Sequence, residues 1–182
     1  MFEIVIFLDV DGVLNCETSK SYVITEDGKI LTGIDKDKVK RLAWIVAATG
    51  ADIVLTSSWR NGWYASNGFL FGSTALSNHA KYLRNHLYKK GKFFIRDKTL
   101  TSHKGRGEEI IIWLEMHPQT KAWVVLDDEE WSDFYEHDEI MRHWVKTDYE
   151  TGLTDEDATA AIQILKGQLL NPIEKEQEAE YY

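Results

Sequence analysis

Residues 1–15 read MFEIVIFLDVDGVLN, and the reading of this stretch decides the fold. From Phe2 to Leu8 only Glu3 interrupts an apolar run too short to read as a helix. A short apolar run of this kind is the pattern of a central strand in a parallel sheet, covered on both faces. The run stops at Asp9, and Asp11 and Gly12 follow within three residues. A buried strand therefore delivers two carboxylates to its carboxyl end, where Gly12 lets the backbone turn sharply.

Working outward, the same arrangement recurs. Residues 52–56 form a second strand and run into Thr56, Ser57 and Ser58 within IVLTSSWR; residues 122–126 form a third and run into Asp127 and Asp128 within WVVLDDEE. Shorter strands are expected at Phe93–Ile95 and near His143–Lys146. Helical spacing fills the intervals. Val39, Leu42, Ala43 and Val46 are followed by Gly50 at a C-cap position. Leu76, Ala80, Leu83 and Leu87 line one face that ends before Gly91. Ile110, Trp113 and Leu114 mark a helix over about 107–117 that stops at Pro118, and Ala158, Ala161, Ile162, Leu165 and Leu169 mark a last one after Thr154. Strands alternating with helices predict an α/β fold, a three-layer Rossmann-like parallel sheet. Residues 1–170 are expected to form one domain and the polar residues 171–182 a tail. Two runs about Asp27-Gly28 predict a β-hairpin over 21–33, a small flap over the sheet edge or the site. Residues 59–73, WRNGWYASNGFLFGS, are a loop by composition, and beyond Asp128 the run to Glu139, with eight acids from Asp127 on, reads as a solvated surface loop.

The composition is that of a globular protein: 43% hydrophobic and 28% charged residues over 182 positions. The longest apolar stretch is far short of a membrane span. The first residues lack the basic region of a signal peptide. One cysteine, Cys16, excludes an internal disulfide and suits a reducing compartment, so a cytoplasmic location is expected with no membrane partner. Cys16 has no evident base nearby and reads as a small buried residue. The six histidines show no metal-ligand spacing. Neither G-x-x-x-x-G-K-[ST] nor G-x-G-x-x-G occurs, so nucleotide binding through those loops has no support.

In an open parallel sheet, ligands bind beyond the carboxyl ends of the strands. Asp9, Asp11, Asp127 and Asp128 converge there and repel one another unless a cation lies between them. Oxygen-only donors select Mg²⁺ or Ca²⁺. A hydroxyl of Thr56 or Ser57 and the ammonium of Lys104, within SHKGRGEE, are donors suited to a phosphoryl group. Lys98 and Arg106 are neighbouring cations. A carboxylate can itself attack phosphorus, and a second one two residues on can move the protons.

On these residues the chain resembles the haloacid dehalogenase-like (HAD) phosphatase superfamily. Asp9-Val10-Asp11-Gly12-Val13 is similar to its first motif, Thr56-Ser57 to its second, Lys104 to its third and Asp127-Asp128 to its fourth, in the family's order. FLDVDGVLN, LTSSWR, KGRGEEI, VVLDD and TDYETGLTDEDA resemble the HAD domain of multifunctional RNA-repair proteins and their phage or bacterial stand-alone relatives. The resemblance implies a nucleophile and Mg²⁺ ligand at Asp9. It implies a general acid/base at Asp11, whose backbone carbonyl also reaches the metal. It further implies phosphate binding by Thr56 or Ser57 and by Lys104, with Asp128 as a metal ligand supported by Asp127. The family inserts caps after its first motif or between its second and third. Here the first interval holds only the hairpin and one helix, so a nearly capless enzyme with an open site is expected.

The net charge of −9 is unevenly distributed: residues 75–107 carry nine Lys/Arg against Asp97 alone, a segment of +8, so the remainder is −17. Aromatic residues precede and interleave it, including Tyr82, Tyr88, Phe93 and Phe94. Basic residues with stacking rings suit nucleotides or single strands; a solvated basic helix face with its rings in the core is the other reading. Arg60, next to the second motif, is the candidate for a further anionic contact. The expected activity is Mg²⁺-dependent phosphomonoester hydrolysis, on a nucleotide or nucleic-acid end or else on a small metabolite. A HAD-like binding module without catalysis is the alternative from another class. A phosphoacceptor receiver domain uses similar residues in a different order.

Overall fold

In the computed structural model, residues 2–62 and 76–170 are described. β1 (Ile4–Leu8) alternates: Ile6 and Leu8 point into one core cluster and Val5 and Phe7 into another, and all four are fully buried. Period-two burial on both faces puts this strand at the centre of the sheet. β4 (Asp52–Leu55) and β6 (Ala122–Asp127) flank it, with β5 (Ile95–Lys98) and β7 (Trp144–Lys146) at the edges, in the order β5-β4-β1-β6-β7. Every pairing is parallel.

The register sets the site. Leu8 lies opposite both Leu55 and Leu126, so the three inner strands end at one level. The Asp9 N–H then bonds to the Leu126 carbonyl and the Thr56 N–H to the Leu8 carbonyl, each at 2.9 Å. Asp9, Thr56 and Asp127 thereby leave the sheet along one rim.

α1 (Lys36–Thr49), α2 (Asn78–His86) and α5 (Asp155–Leu170) cover the face that holds Ile6 and Leu8. α3 (Arg106–Met116) and α4 (Asp138–His143) cover the other, around Phe7, Trp113, Trp123 and Phe134. The molecule is thus a three-layer, Rossmann-like α/β fold, as the strand–helix alternation predicts. α1 ends at Gly50 in the left-handed region (φ 73°), where a side chain would be strained. The small hairpin is present as β2 (Tyr22–Ile24) and β3 (Ile30–Thr32), with Tyr22 opposite Thr32. Asn15 Nδ2 donates to the Thr32 carbonyl (3.1 Å) and ties the hairpin to the turn after β1.

Two expectations about local structure are corrected. The edge strand runs over Ile95–Lys98 rather than Phe93–Ile95, because the ladder with β4 engages Ile95, Asp97 and Lys98 while Phe93 is buried before it. Beyond Asp128, where the acidic run reads as a surface loop, residues Ser132–Glu136 form a 3₁₀ turn that leads into α4. Phe134 and Ile140 are both fully buried there, and two apolar anchors suffice to fold an otherwise acidic segment. Residues 63–73 of the aromatic loop and the tail at 171–182 lie outside the described residues. No helix among those described is long and apolar enough to cross a membrane.

Candidate active site

The rim at the carboxyl ends of β1 and β6 gathers Asp9, Asp127 and Asp128, whose carboxylate oxygens include one from each residue within 4.8 Å of the others. Asp9 and Asp127 are buried and Asp128 is half-buried. Burial, the largest cause, pushes all three carboxyls above the usual carboxylate range, and their mutual repulsion adds to it. Asp128 is pushed up to about 6. Gly12 makes room for this cluster: it has φ 68°, and a Cβ there would lie 2.1 Å from the Asp128 carboxyl carbon. Its carbonyl accepts a hydrogen bond from Thr147 Oγ1 (2.8 Å).

The cation in the cluster is Arg106. Its Nη1 donates to Asp9 Oδ1 at 2.9 Å and to Asp127 Oδ2 at 3.0 Å. Burial opposes the guanidinium charge, but the two carboxylates outweigh it and hold Arg106 protonated. The Trp131 ring lies 4.7 Å from the guanidinium carbon, a cation–π distance. The Trp131 indole N–H reaches both Asp127 oxygens at 3.3 Å. Arg106 is the first residue of α3, whose N-cap is Gly105 and has no side chain to offer. Asp133, from the 3₁₀ turn, substitutes for that cap by accepting the Glu108 N–H at 3.0 Å. The segment from Asp127 to Asp133 thus holds Arg106 by a carboxylate, a ring and a helix cap.

Asp11 stands apart from the metal-competent trio and is gripped on both oxygens. Trp59 Nε1 donates to Oδ2 (3.0 Å) and Asn15 Nδ2 to Oδ1 (2.8 Å). Asn15 Oδ1 in turn accepts the Gly12 N–H at 3.0 Å, so the turn and the carboxylate are fixed together. Trp59 is 1% exposed, which makes its indole a rigid donor.

Of the two hydroxyl candidates, Ser57 Oγ accepts the Trp59 N–H at 3.4 Å, whereas Thr56 Oγ1 is buried with no hydrogen-bond partner among the described residues. Such an orphan requires a ligand or water. Lys104 is not brought into the cluster: its exposed ammonium pairs with Glu108 at 2.9 Å, an i,i+4 contact. Arg60 is buried and turned inward. It donates to the Thr56 carbonyl, to Thr99 Oγ1 (3.2 Å) and to Glu109 Oε1 (2.7 Å). Glu109 also accepts the Ser102 N–H at 2.9 Å, and so links the base of the second strand end to the start of α3.

Sequence reasoning does not find Trp59, Asn15, Trp131 and Asp133, and it leaves Arg106 as a bystander. Arg106 has a signal, since Gly105 and Gly107 flank it where a helix begins against the rim. Asn15 carries no such signal.

The donor set fits a hard divalent cation. It is entirely oxygen, it is desolvated, and its carboxylates are held close despite their repulsion. Over residues 5–158 the chain matches the family described as HAD domain in Swiss Army Knife RNA repair proteins. No curated protein and no solved structure matches it.

Proposed function

The chain belongs to the family of HAD domains in Swiss Army Knife RNA repair proteins, and from that premise we propose that it is a phosphatase acting on the phosphate end of a nucleotide or nucleic acid. The observation that carries this reading is the buried Asp9–Arg106–Asp127 arrangement beside Asp128. It sets a carboxylate nucleophile against a fixed cation at the open end of a parallel sheet.

Asp9 acts first. One of its carboxylate oxygens bonds to phosphorus while the ester P–O bond breaks, and Asp11 gives a proton to the departing oxygen. Water then attacks the phosphorus of the Asp9 acyl phosphate, Asp11 takes a proton from it, and the Asp9–phosphorus bond breaks to release inorganic phosphate. Trp59 and Asn15 keep the Asp11 carboxylate in one orientation through both steps. Arg106 favours the ionised form of Asp9 against the burial that opposes it, and faces the negative charge that develops on the phosphoryl oxygens. It takes the part expected of Lys104, which points into solvent. Thr56 Oγ1 and Ser57 line the phosphate side of the rim, and the free Thr56 hydroxyl is the donor of choice. Asp9, Asp127 and Asp128, with the Asp11 backbone carbonyl, would hold Mg²⁺. When bound, Mg²⁺ supplies positive charge to the phosphoryl oxygens. Arg60 does not touch substrate; it braces Thr56 from behind.

The test is phosphate release with Mg²⁺ from mononucleotides, 3′- and 5′-phosphorylated oligonucleotides and sugar phosphates. Release from nucleotide or oligonucleotide ends is expected, and Asp9→Asn should abolish it. Turnover by that variant would rule out the covalent route. Release from sugar phosphates alone would make the protein a metabolite phosphatase, and no release from any substrate would leave a binding module.

A further inference from the structure

Lys81, Arg84, Tyr88 and Lys92 recur at three- and four-residue steps along α2 and the π-helical turn Leu87–Gly91 that continues it. That spacing sets Lys81, Arg84 and Tyr88 on one side of the helix, and Lys92, just past its end, joins them through Tyr88. All four are exposed, while Ala80, Leu83 and Leu87 on the adjoining, core-facing side are fully buried. Lys89 and Lys90, also exposed, widen the stripe. Tyr88 stacks on Phe94 with ring centroids 4.9 Å apart and planes at 23°. Tyr88 stays 49% exposed despite that contact, and the Lys92 ammonium lies 5.4 Å from the centre of its ring.

The charges here are concentrated. The chain carries 30 acidic residues, and some exposed cations elsewhere, such as Lys40, Lys121 and Lys146, pair with them, whereas residues 81–92 hold five cations and no acid. Among the described residues, Lys81, Arg84, Lys89, Lys90 and Lys92 form no ion pair with a carboxylate. Like charges gathered without counter-charges repel one another in the folded state, and a polyanion relieves that repulsion. An exposed stacked ring pair within the same stripe adds a second requirement, a flat apolar surface in the partner. Phosphates and bases together meet both.

The stripe also begins in the right place. Ser77, which caps α2, bonds through its N–H to the Gly62 carbonyl, and the His79 ring packs edge-on against Trp59, the donor to Asp11. From there the helical path to Lys92 runs about 20 Å away from the rim.

We propose that this stripe carries the single-stranded segment of a nucleic acid whose phosphate end lies at the Asp9 rim, with phosphodiesters on the lysines and arginine and a base stacking on the exposed Tyr88 ring. This rests on the nucleic-acid-end reading of the active site. Contacts of this kind do not read base edges, so the binding is tolerant of sequence and strongly dependent on salt.

The experiment uses the full chain and a fluorescein-labelled single-stranded RNA without a terminal phosphate, followed by anisotropy across a salt series. Phosphate release from a mononucleotide and from a phosphorylated oligonucleotide is measured in parallel. Wild-type protein should bind, and Lys89→Glu/Lys90→Glu should weaken binding and flatten the log–log salt slope by about 1.4. Tyr88→Ala should weaken binding about fivefold or more at unchanged salt slope. Both variants should raise KM for the oligonucleotide and leave the mononucleotide unaffected. Wild-type protein that does not bind the RNA, variants that bind as wild type does, or equal affinity for a duplex of the same length would each overturn the proposal. RNA binding that depends on the stripe, without phosphate release, would keep the stripe and overturn the phosphatase reading instead.

Discussion

Replacing Arg106 by methionine retains a long side chain and removes the cation held between Asp9 and Asp127. The Arg106 side chain is 8% exposed, that of Asp9 10% and that of Asp127 1%, so water does not replace the lost partner. Breaking a buried ion pair from one side costs about 3–5 kcal/mol, because the remaining charge is left uncompensated. For a chain of this size that corresponds to a fall in Tm of roughly 6–20 °C. The loss must depend on pH, and its sign follows from the carboxyls. Burial already holds Asp9 and Asp127 above the ordinary range against the pull of Arg106. Without that pull both rise further, so in the folded state they bind protons that the unfolded chain has released. Stability then falls as pH rises through the interval between the unfolded and folded values. Thermal unfolding of Arg106→Met without metal should accordingly show a small deficit against wild type near pH 5 and the full deficit near pH 8. Mg²⁺ should restore more stability to the variant than to wild type, since it replaces the missing charge. An equal deficit at both pH values, or none, would mean that Arg106 does not compensate these carboxylates.

Lys104→Ala should leave phosphate release within a few fold of wild type and the denaturant midpoint nearly unchanged, since an exposed i,i+4 pair is all it removes. A loss of activity as large as that of Arg106→Met would return the catalytic cation to Lys104. Trp59→Phe keeps the ring and deletes the N–H to Asp11. Steady-state kinetics should show kcat reduced on the order of tenfold or more with KM nearly unchanged, and a change in KM alone would refute the positioning role. Asp128, pushed up to about 6, must lose its proton to take a cation. The rise in Tm given by Mg²⁺ should therefore be full at pH 8 and fade below pH 6, and a pH-independent rise would place the ion elsewhere.

The strand ends are legible in the sequence because each inner strand is an apolar run closed by the polar residues it delivers. Val5–Leu8 ends in Asp9, Ile53–Leu55 in Thr56, and Val124–Leu126 in Asp127. The third position of the site is not legible in the same way. Lys104 and Arg106 are two cations two residues apart at the start of a helix; one faces solvent and the other the rim because Arg106 opens α3 and Lys104 lies before it. Composition also hides the 3₁₀ turn and α4, since eight acids between Asp127 and Glu139 mask Phe134. Contacts such as Trp59 to Asp11, 48 residues apart, follow from sheet register and leave no local trace.

The network behind the rim explains how so many buried charges coexist. Asp9 and Asp127 share Arg106, Arg106 stands 3.9 Å from Glu109, and Glu109 is bonded to Arg60 at 2.7 Å. Charges of opposite sign thus alternate from Asp9 to the back of the strand end at Thr56. Arg106 lies between carboxylates on both sides and Arg60 pairs with Glu109, and such pairing is the condition under which buried ions are tolerable. The alternation stops at the rim, where among the described residues Asp128 has no such cation and Thr56 Oγ1 has no partner. An excess of carboxylate beside an unsatisfied hydroxyl matches a bound cation next to a phosphoryl oxygen. The same imbalance would be costly in a domain that served only to bind a protein surface. On the proposed phosphatase reading, Arg60 and Glu109 are the support that keeps Arg106 beside Asp9.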